Sequence, residues 1–411
     1  MSGSPPGTTE VRPVVRRRVA HRRRRLRRLT LAQAGFTLIA AVVLVALVWV
    51  GWRSAMRITG GRDELVTDPA APGYVGEVLP TDVTLLAVTG DGGELISMLV
   101  LVDDEGASGL TAVPMSPHLV LAGFEDGPAE AASSVFADGG IDVLQLRLGA
   151  DLGFGSTDAL VVPGAVLVEL VRSVGPLTVH LADDVFEAPV DADPEDATLR
   201  YPAGEAVLEP EVVDDFLALS GYRELDPNRA LRAGALWTAM LDAFSEGVPP
   251  VTPFGDAGDP ERLATLLEAM ATQRPEFRSI PMTPMQLSAD PPVTLHRIDT
   301  EAMADWVASH VPFPSAAFPG QFATTAVLDG TGTEGAVRTV APRVVRAGAQ
   351  ILLSGNADAF DVESTRVEYS REEVRPAAER IAEALGAEVV SVEGGRPDVD
   401  VTVVVGKDLL A

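Results

Sequence analysis

The sequence predicts an α/β protein with an N-terminal single transmembrane helix, an α/β sheet domain, and a small α+β C-terminal domain of order βαββαβ. Three observations carry this. No charged residue occurs from Leu31 to Trp52. From about residue 80 to 245, short apolar runs ended by Gly or Asp alternate with helix-period segments. Residues 323–411 then repeat strand and helix patterns in a compact form.

Residues 1–30 are an arginine-rich arm. Residues 1–52 hold ten arginines and one acid, Glu10, for a net charge of +9, and taking this from the whole-chain −27 leaves −36 for residues 53–411. At ~1.5 Å per residue, the uncharged run 31–52 spans roughly 33 Å, enough for a hydrocarbon core of about 30 Å. It is longer than the apolar region of a cleavable signal, and "RSAMR" after it is a poor cleavage site. A signal-anchor is therefore expected, and the positive-inside rule puts the arm in the cytoplasm. The expected location is the cell membrane, single-pass, with the C-terminal bulk extracellular and Trp49 and Trp52 at the outer interface.

Composition removes several functions. Cysteine is absent, so thiolate nucleophiles, disulfide frameworks and cysteine-held metals are excluded. The single lysine, Lys407, is followed by Asp408, which rules out a Walker A loop and a kinase strand lysine. The acidic bulk would repel nucleic acid, whose binding depends on cationic contacts to phosphate.

Residues 53–79, rich in Gly, Pro and Asp and without periodicity, are expected to be a tether. In residues 80–245, "VTLLAVTG", "LISMLVLVDD" and "GLTAVPM" have the length and apolar character of buried strands. "AEAASSVFADGGIDVLQLRLGADLG" reads as a helix, "TDALVVPG" as a strand, "AVLVELVRSVG" as a helix closed by glycine, "PLTVHLA" as a strand and "EVVDDFLALSGY" as a helix. Residues 246–322 are proline-rich but hold structure: Asp259 and Pro260 suit N-cap and N1 of a helix, and a second helix is expected at Thr300–His310. They form a packed connector. In 323–411, "ATTAVLDG", "AQILLSG", "STRVEYS" and "DVTVVVG" are strands, and "AVRTVAPRVVRAG" is a helix. The spacing from Ser370 to Glu373 suggests a capping box opening a second helix with Val374, Ala378, Ile381 and Leu385 on one face.

"AVLDGTGTEG" places Gly330, Gly332 and Gly335 in the spacing of a dinucleotide fingerprint. The acidic residue that should follow about 20 positions on is missing before Asp358, and a dinucleotide enzyme outside a membrane is improbable. No dinucleotide cofactor is expected. The five histidines, His21, His118, His180, His296 and His310, show no paired metal spacing, and no Gly-x-Ser-x-Gly occurs. One cluster has chemical content: "ELDPNRALRAGALW", where Arg229 and Arg232 lie three apart at a helix start. Both guanidinium groups could project to one face and hold a diphosphate. The same spacing is common on ordinary helix surfaces.

Residues 323–407 resemble the LytR C-terminal domain, through Val327-Leu328-Asp329-Gly330-Thr331-Gly332, "GNADAFDVESTRVEYS" and "DVTVVVGKD". In that likeness the glycines shape a strand-to-helix turn. Residues 80–245 resemble, in part, a LytR-CpsA-Psr (LCP) domain, through "FADGGIDVLQLRLGADLGFGSTDALVVPGAVLVELVRSVGPLTVHLADDV" and "DPNRALRAG". That family moves wall glycopolymers from polyprenyl diphosphate lipids to peptidoglycan, with Mg²⁺. The resemblance implies Asp226, Arg229 and Arg232 as diphosphate-site residues, with Ala233 where glutamine is usual. It also implies Mg²⁺ where the site is active, and the membrane, polyprenyl diphosphate lipid, wall glycopolymer or peptidoglycan as partners. The family's early Arg-Ser-Asp falls near Gly93-Glu94-Leu95-Ile96, its Pro-Arg-Asp becomes Pro114-Met115-Ser116, and "FLALSGY" replaces an arginine-bearing strand. Such losses cost several kcal/mol of transition-state stabilisation. The expectation is a degenerate LCP domain acting as a binding or scaffolding factor. The alternative is an active phosphotransferase using Asp91 or Glu94 near the metal.

Overall fold

A central five-stranded sheet with helices on both faces organises the middle of the chain. The computed structural model describes residues 66–104, 109–123, 128–188, 193–251, 259–287, 293–317 and 322–410. The expected arm and transmembrane helix lie outside these residues. Among the described residues no helix is long and apolar enough to cross a membrane.

In chain order the first elements are β1 (Val75–Glu77), β2 (Asp82–Thr89), β3 (Leu95–Asp104), β4 (Gly109–Met115), β5 (Val120–Leu121) and β6 (Glu130–Ala131). Helix α1 (Ala132–Leu152), β7 (Asp158–Pro163), α2 (Gly164–Val174), β8 (Leu177–Leu181), β9 (Val185–Glu187), β10 (Thr198–Tyr201) and β11 (Gly204–Leu208) follow. Then come α3 (Val213–Ala218), α4 (Asp226–Ala243), α5 (Pro260–Gln273), β12 (Glu276–Phe277), β13 (Met282–Leu287), β14 (Val293–Ile298) and α6 (Ala302–His310). The C-terminal part holds β15 (Ala323–Asp329), α7 (Ala336–Arg346), β16 (Ala349–Asn356), β17 (Arg366–Tyr369), α8 (Arg375–Leu385), β18 (Glu388–Ser391) and β19 (Val401–Val405).

The central sheet has the order β12-β4-β3-β2-β7. Its strands bury both faces, which is why they read as unbroken apolar runs rather than alternations. Leu86, Val88, Leu99 and Leu101 pack against α2, α4 and α5. Val83, Leu85, Ala87, Met98 and Val100 pack the other face against α1 and α6. From within residues 246–322, β12 joins the central sheet parallel to β4. Asp259 caps α5 by accepting from the Arg262 N–H at 3.0 Å, the bond that its place before a proline predicts.

Three expectations differ from the structure. Only Val213–Ala218 of "EVVDDFLALSGY" is α-helical, after a 3₁₀ turn at Pro210–Val212. Ser370 makes no cap: a 3₁₀ turn at Glu372–Val374 leads into α8 without a side-chain cap bond. The C-terminal order is βαββαββ, because β18 lies between α8 and the last strand.

The C-terminal sheet has the order β1-β16-β15-β19-β17-β18. Its first strand comes from the expected tether. Val75, Gly76 and Glu77 pair antiparallel with Gly355, Ser354 and Leu353, so this sheet is built from sequence on both sides of the central domain. Arg346 at the end of α7 donates to Thr300 O at 2.5 Å and Leu152 O at 3.4 Å. Burial holds its pKa below the ordinary arginine value, the cost of seating one guanidinium between the central and C-terminal domains.

Candidate functional site

The first turns of α4 bring Asp226, Arg229 and Arg232 together, all buried at 4–6 % exposure. Asp226 opens the helix, with Pro227 in the first turn, where an acid complements the helix dipole. Its Oδ1 accepts from Ser116 Oγ at 2.6 Å, and its Oδ2 accepts from the His296 backbone N–H at 3.0 Å. The His296 ring Nδ1 lies 3.2 Å from the same oxygen, and Ser116 Oγ in turn accepts from the His118 N–H at 3.1 Å. Serine and histidine both bond the carboxylate, so this is a junction of β4, β14 and α4. In a serine–histidine–aspartate relay the histidine would stand between the other two.

The i,i+3 spacing does put both arginines on one face, and that face meets the C-terminus of α3. Arg229 Nη2 donates to Ala218 O at 2.8 Å, with Leu217 O at 3.4 Å. Arg232 holds Glu224 by two bonds, Nε to Oε1 at 2.8 Å and Nη2 to Oε2 at 2.9 Å. It also donates to Leu219 O at 2.5 Å and to Phe216 O, and its guanidinium lies 5.1 Å from the Phe216 ring centroid. Two cations thus satisfy the carbonyls left open by the last turn of α3. Arg229 keeps two buried nitrogens, Nε and Nη1, without a hydrogen-bond partner. Burial, with help from Arg232, brings its pKa down to about 10, so it stays charged at neutral pH. Burial and then Arg229 lower the pKa of His118.

An acidic group occupies the other end of α3. Asp214 and Asp215 stand in its first turn, and burial, then Asp91, Asp215 and Glu94, raise the Asp214 pKa. Asp214 Oδ1 is packed over Gly164, at the start of α2, so closely that a Cβ there would meet it at 1.9 Å. A six-residue helix is about 9 Å long, so acids at one end and arginines at the other complement its dipole. Among the described residues no group of three His, Asp or Glu has a metal-holding arrangement.

A cavity of about 370 Å³ opens beside α4, lined among others by Pro114, Phe186, Arg223, Leu231 and Phe277. Phe186 and Leu231 are exposed at 37 % and 51 %, which gives it an apolar wall. Arg223 takes the left-handed φ of 56°, unusual outside glycine, and its guanidinium lies 5.1 Å from the Tyr222 ring centroid. No spacing in the sequence points to Arg223, and Ser116 and His296 stand out there only as a departure from the family's Pro-Arg-Asp and as one of five histidines without paired metal spacing.

In the C-terminal part, the glycine-rich segment joins β15 to α7. Asp329 Oδ1 accepts from the Thr331 N–H and hydroxyl, both at 2.7 Å, which starts the turn. Gly332 and Gly335 have φ of 73° and 82°, the left-handed region that glycine enters without strain. Gly330 is packed against the end of β19, where an added Cβ would sit 2.7 Å from Val405 O. The glycines serve the turn, as the resemblance implies.

Residues 323–409 match the family model of the LytR cell envelope-related transcriptional attenuator. This part of the chain is a LytR C-terminal domain. No curated protein matches the chain. Among solved structures, B. subtilis TagV is similar at 15 % identity and a TM-score of 0.40, over 55 % of this chain and 94 % of TagV. B. subtilis TagT is similar at 12 % identity and a TM-score of 0.39, over 60 % of this chain and 91 % of TagT. A LytR-CPS2A-psr family protein, YwtF (TagT), described with bound octaprenyl pyrophosphate lipid, is similar at 12 % identity and 0.39, over 59 % and 90 %. Ahead of the LytR C-terminal domain, the arrangement on α4 shows what two arginines at i,i+3 become in a buried setting. They are helix-terminating cations with one partly unpartnered member.

Proposed function

We propose that the chain is a membrane-anchored, outward-facing protein of cell-envelope assembly, whose residues 80–245 form a degenerate LytR-CpsA-Psr domain that binds or scaffolds without transferring. The LytR C-terminal domain supports the envelope setting, and the uncharged run 31–52 supports the anchor. One observation carries the non-catalytic part. Arg232 is committed to Glu224 and to backbone carbonyls, so a diphosphate would have to displace a paired carboxylate from a buried site. Polyprenyl diphosphate lipid and wall glycopolymer remain the ligand classes that the resemblance implies for the central domain.

A second reading, an active glycopolymer phosphotransferase, is favoured by the two unpartnered nitrogens of Arg229, which an anion could satisfy. The deciding experiment incubates the full chain with a polyprenyl-diphosphate-linked oligosaccharide, Mg²⁺ and peptidoglycan and follows the labelled sugar. Absence of transfer is the expected result. Turnover that disappears in Arg229→Gln would overturn the non-catalytic reading.

A further inference from the structure

The LytR C-terminal domain does not complete its own sheet. Strand β1 lies at one edge, and its backbone pairing there is with Leu352 to Ala357. Gly73 N–H donates to Ala357 O at 2.8 Å, Asn356 N–H to Tyr74 O at 2.8 Å, and Val78 N–H to Leu352 O at 2.9 Å. The Asn356 side chain reaches past the strand and donates to Pro69 O at 2.9 Å and Ala71 O at 2.8 Å. Gly355 is where the two chains come closest. A Cβ there would lie 2.0 Å from Tyr74 O and 2.7 Å from the Val75 Cα. Val75 fills an apolar seat with Ala326, Leu328, Leu353 and Val404. The Asn356 N–H and side chain and the Ala357 carbonyl go to residues 69–78, while on its other side the motif pairs with β15, the Ala357 N–H donating to Asp329 O at 2.7 Å.

We propose that this motif is a strand-receiving site whose occupant is the chain's own segment 69–78, and that the central domain is thereby mounted on the LytR C-terminal domain at two points. The recognition is strand addition to a sheet edge, in which backbone bonds supply affinity and one glycine supplies selectivity. The chain leaves the sheet at β1, makes the central domain, and returns at β15, with β16 between the two strands. Supply from the same chain follows from length. Four residues separate β1 from β2 and reach at most about 14 Å. The last of them, Thr81, is tied to the returning connector: its N–H donates to Phe313 O at 2.8 Å and its hydroxyl accepts from the Phe313 N–H at 3.1 Å. A second copy would have to open both ties to exchange strands. This inference concerns the C-terminal domain and is independent of whether the central domain transfers anything.

The absence of cysteine makes the test direct. In the full chain, Gly76→Cys with Ser354→Cys should oxidise to a disulfide within one polypeptide, and Gly355→Val or Asn356→Ala added to that pair should abolish it. Amides of 73–78 should exchange at least about tenfold faster in Gly355→Val than in the parent, while those of β15 and β19 keep their protection, showing that the domain itself still folds. In a chain whose residues 69–78 are replaced by Gly/Ser, a synthetic peptide of residues 66–80 should bind, and Gly355→Val should remove that binding. A disulfide linking two chains, free exchange at 73–78 in the parent, or no peptide binding to the Gly/Ser chain would each overturn the proposal.

Discussion

Arg232 grips Glu224 with Nε and Nη2 at 2.8 and 2.9 Å, and the two side chains are only 3 % and 11 % exposed. Buried pairs of this kind are costly to assemble and more costly to break, because removing one partner strands the other charge. Arg232→Ala should therefore lower unfolding stability by about 3–5 kcal/mol, read from the urea midpoint. Arg232→Met with Glu224→Gln should cost less than the single change, since it leaves no unpaired charge. A loss under about 1 kcal/mol in Arg232→Ala would show the pair to be dispensable and would free Arg232 for a ligand.

Ser116 and Asp226 meet across 110 positions of sequence, with Ser116 Oγ donating at 2.6 Å. Ser116→Ala leaves one oxygen of a buried carboxylate without its donor, for an expected loss of about 1–3 kcal/mol. Because Asp226 also accepts from His296 N–H, the variant should still unfold in one transition. If the midpoint is unchanged, the Ser116 bond adds nothing to the junction of β4, β14 and α4, which then rests on packing and on the His296–Asp226 contacts.

The pH dependence has a definite sign at His118. Its native pKa lies below the ordinary 6.5 because of burial, then Arg229, against smaller opposing effects of Asp226 and Glu224. Between the lowered native value and 6.5 the unfolded chain binds a proton that the folded chain does not, so this group makes stability rise with pH across that window. His118→Asn should flatten the rise when urea midpoints are compared from about pH 5 to 7. An unaltered slope would place the titrating group elsewhere.

The central strands and the arginine face were legible in the sequence for one reason: their signals are local. Asp82–Thr89 and Leu95–Asp104 are apolar on both faces, and Arg229 and Arg232 point the same way wherever the helix sits. What that face meets was not legible. Glu224 and the carbonyls of α3 are brought there by a turn through Gly221 and the left-handed Arg223, neither of which carries a pattern. His296 reaches Asp226 from 70 residues away with no spacing to announce it. Strand β1 was hidden for a different reason. "PAAPGYVGEV" has the composition of a linker, because its side chains contribute little and its backbone contributes the pairing. The four-residue β18 begins with Glu388 and ends with Ser391, too short to show alternation.

The glycine-rich turn yields the last prediction, because its two left-handed glycines differ in their surroundings. Gly335 has φ 82° with nothing near the place a Cβ would occupy, while Gly332 has φ 73° and a Cβ there would meet the Phe360 ring at 3.2 Å. Gly335→Ala should thus cost only the left-handed penalty, about 1–2 kcal/mol. Gly332→Ala should cost that and more, since Phe360 must also give way. Thermal melts of the two variants would check the order. A function in phosphate binding predicts a different outcome, in which both variants lose a ligand-induced stabilisation by a dinucleotide. The turn geometry leads us to expect no such stabilisation in the parent, because Asp329 places a carboxylate on the Thr331 N–H, one of the amides that a pyrophosphate would need.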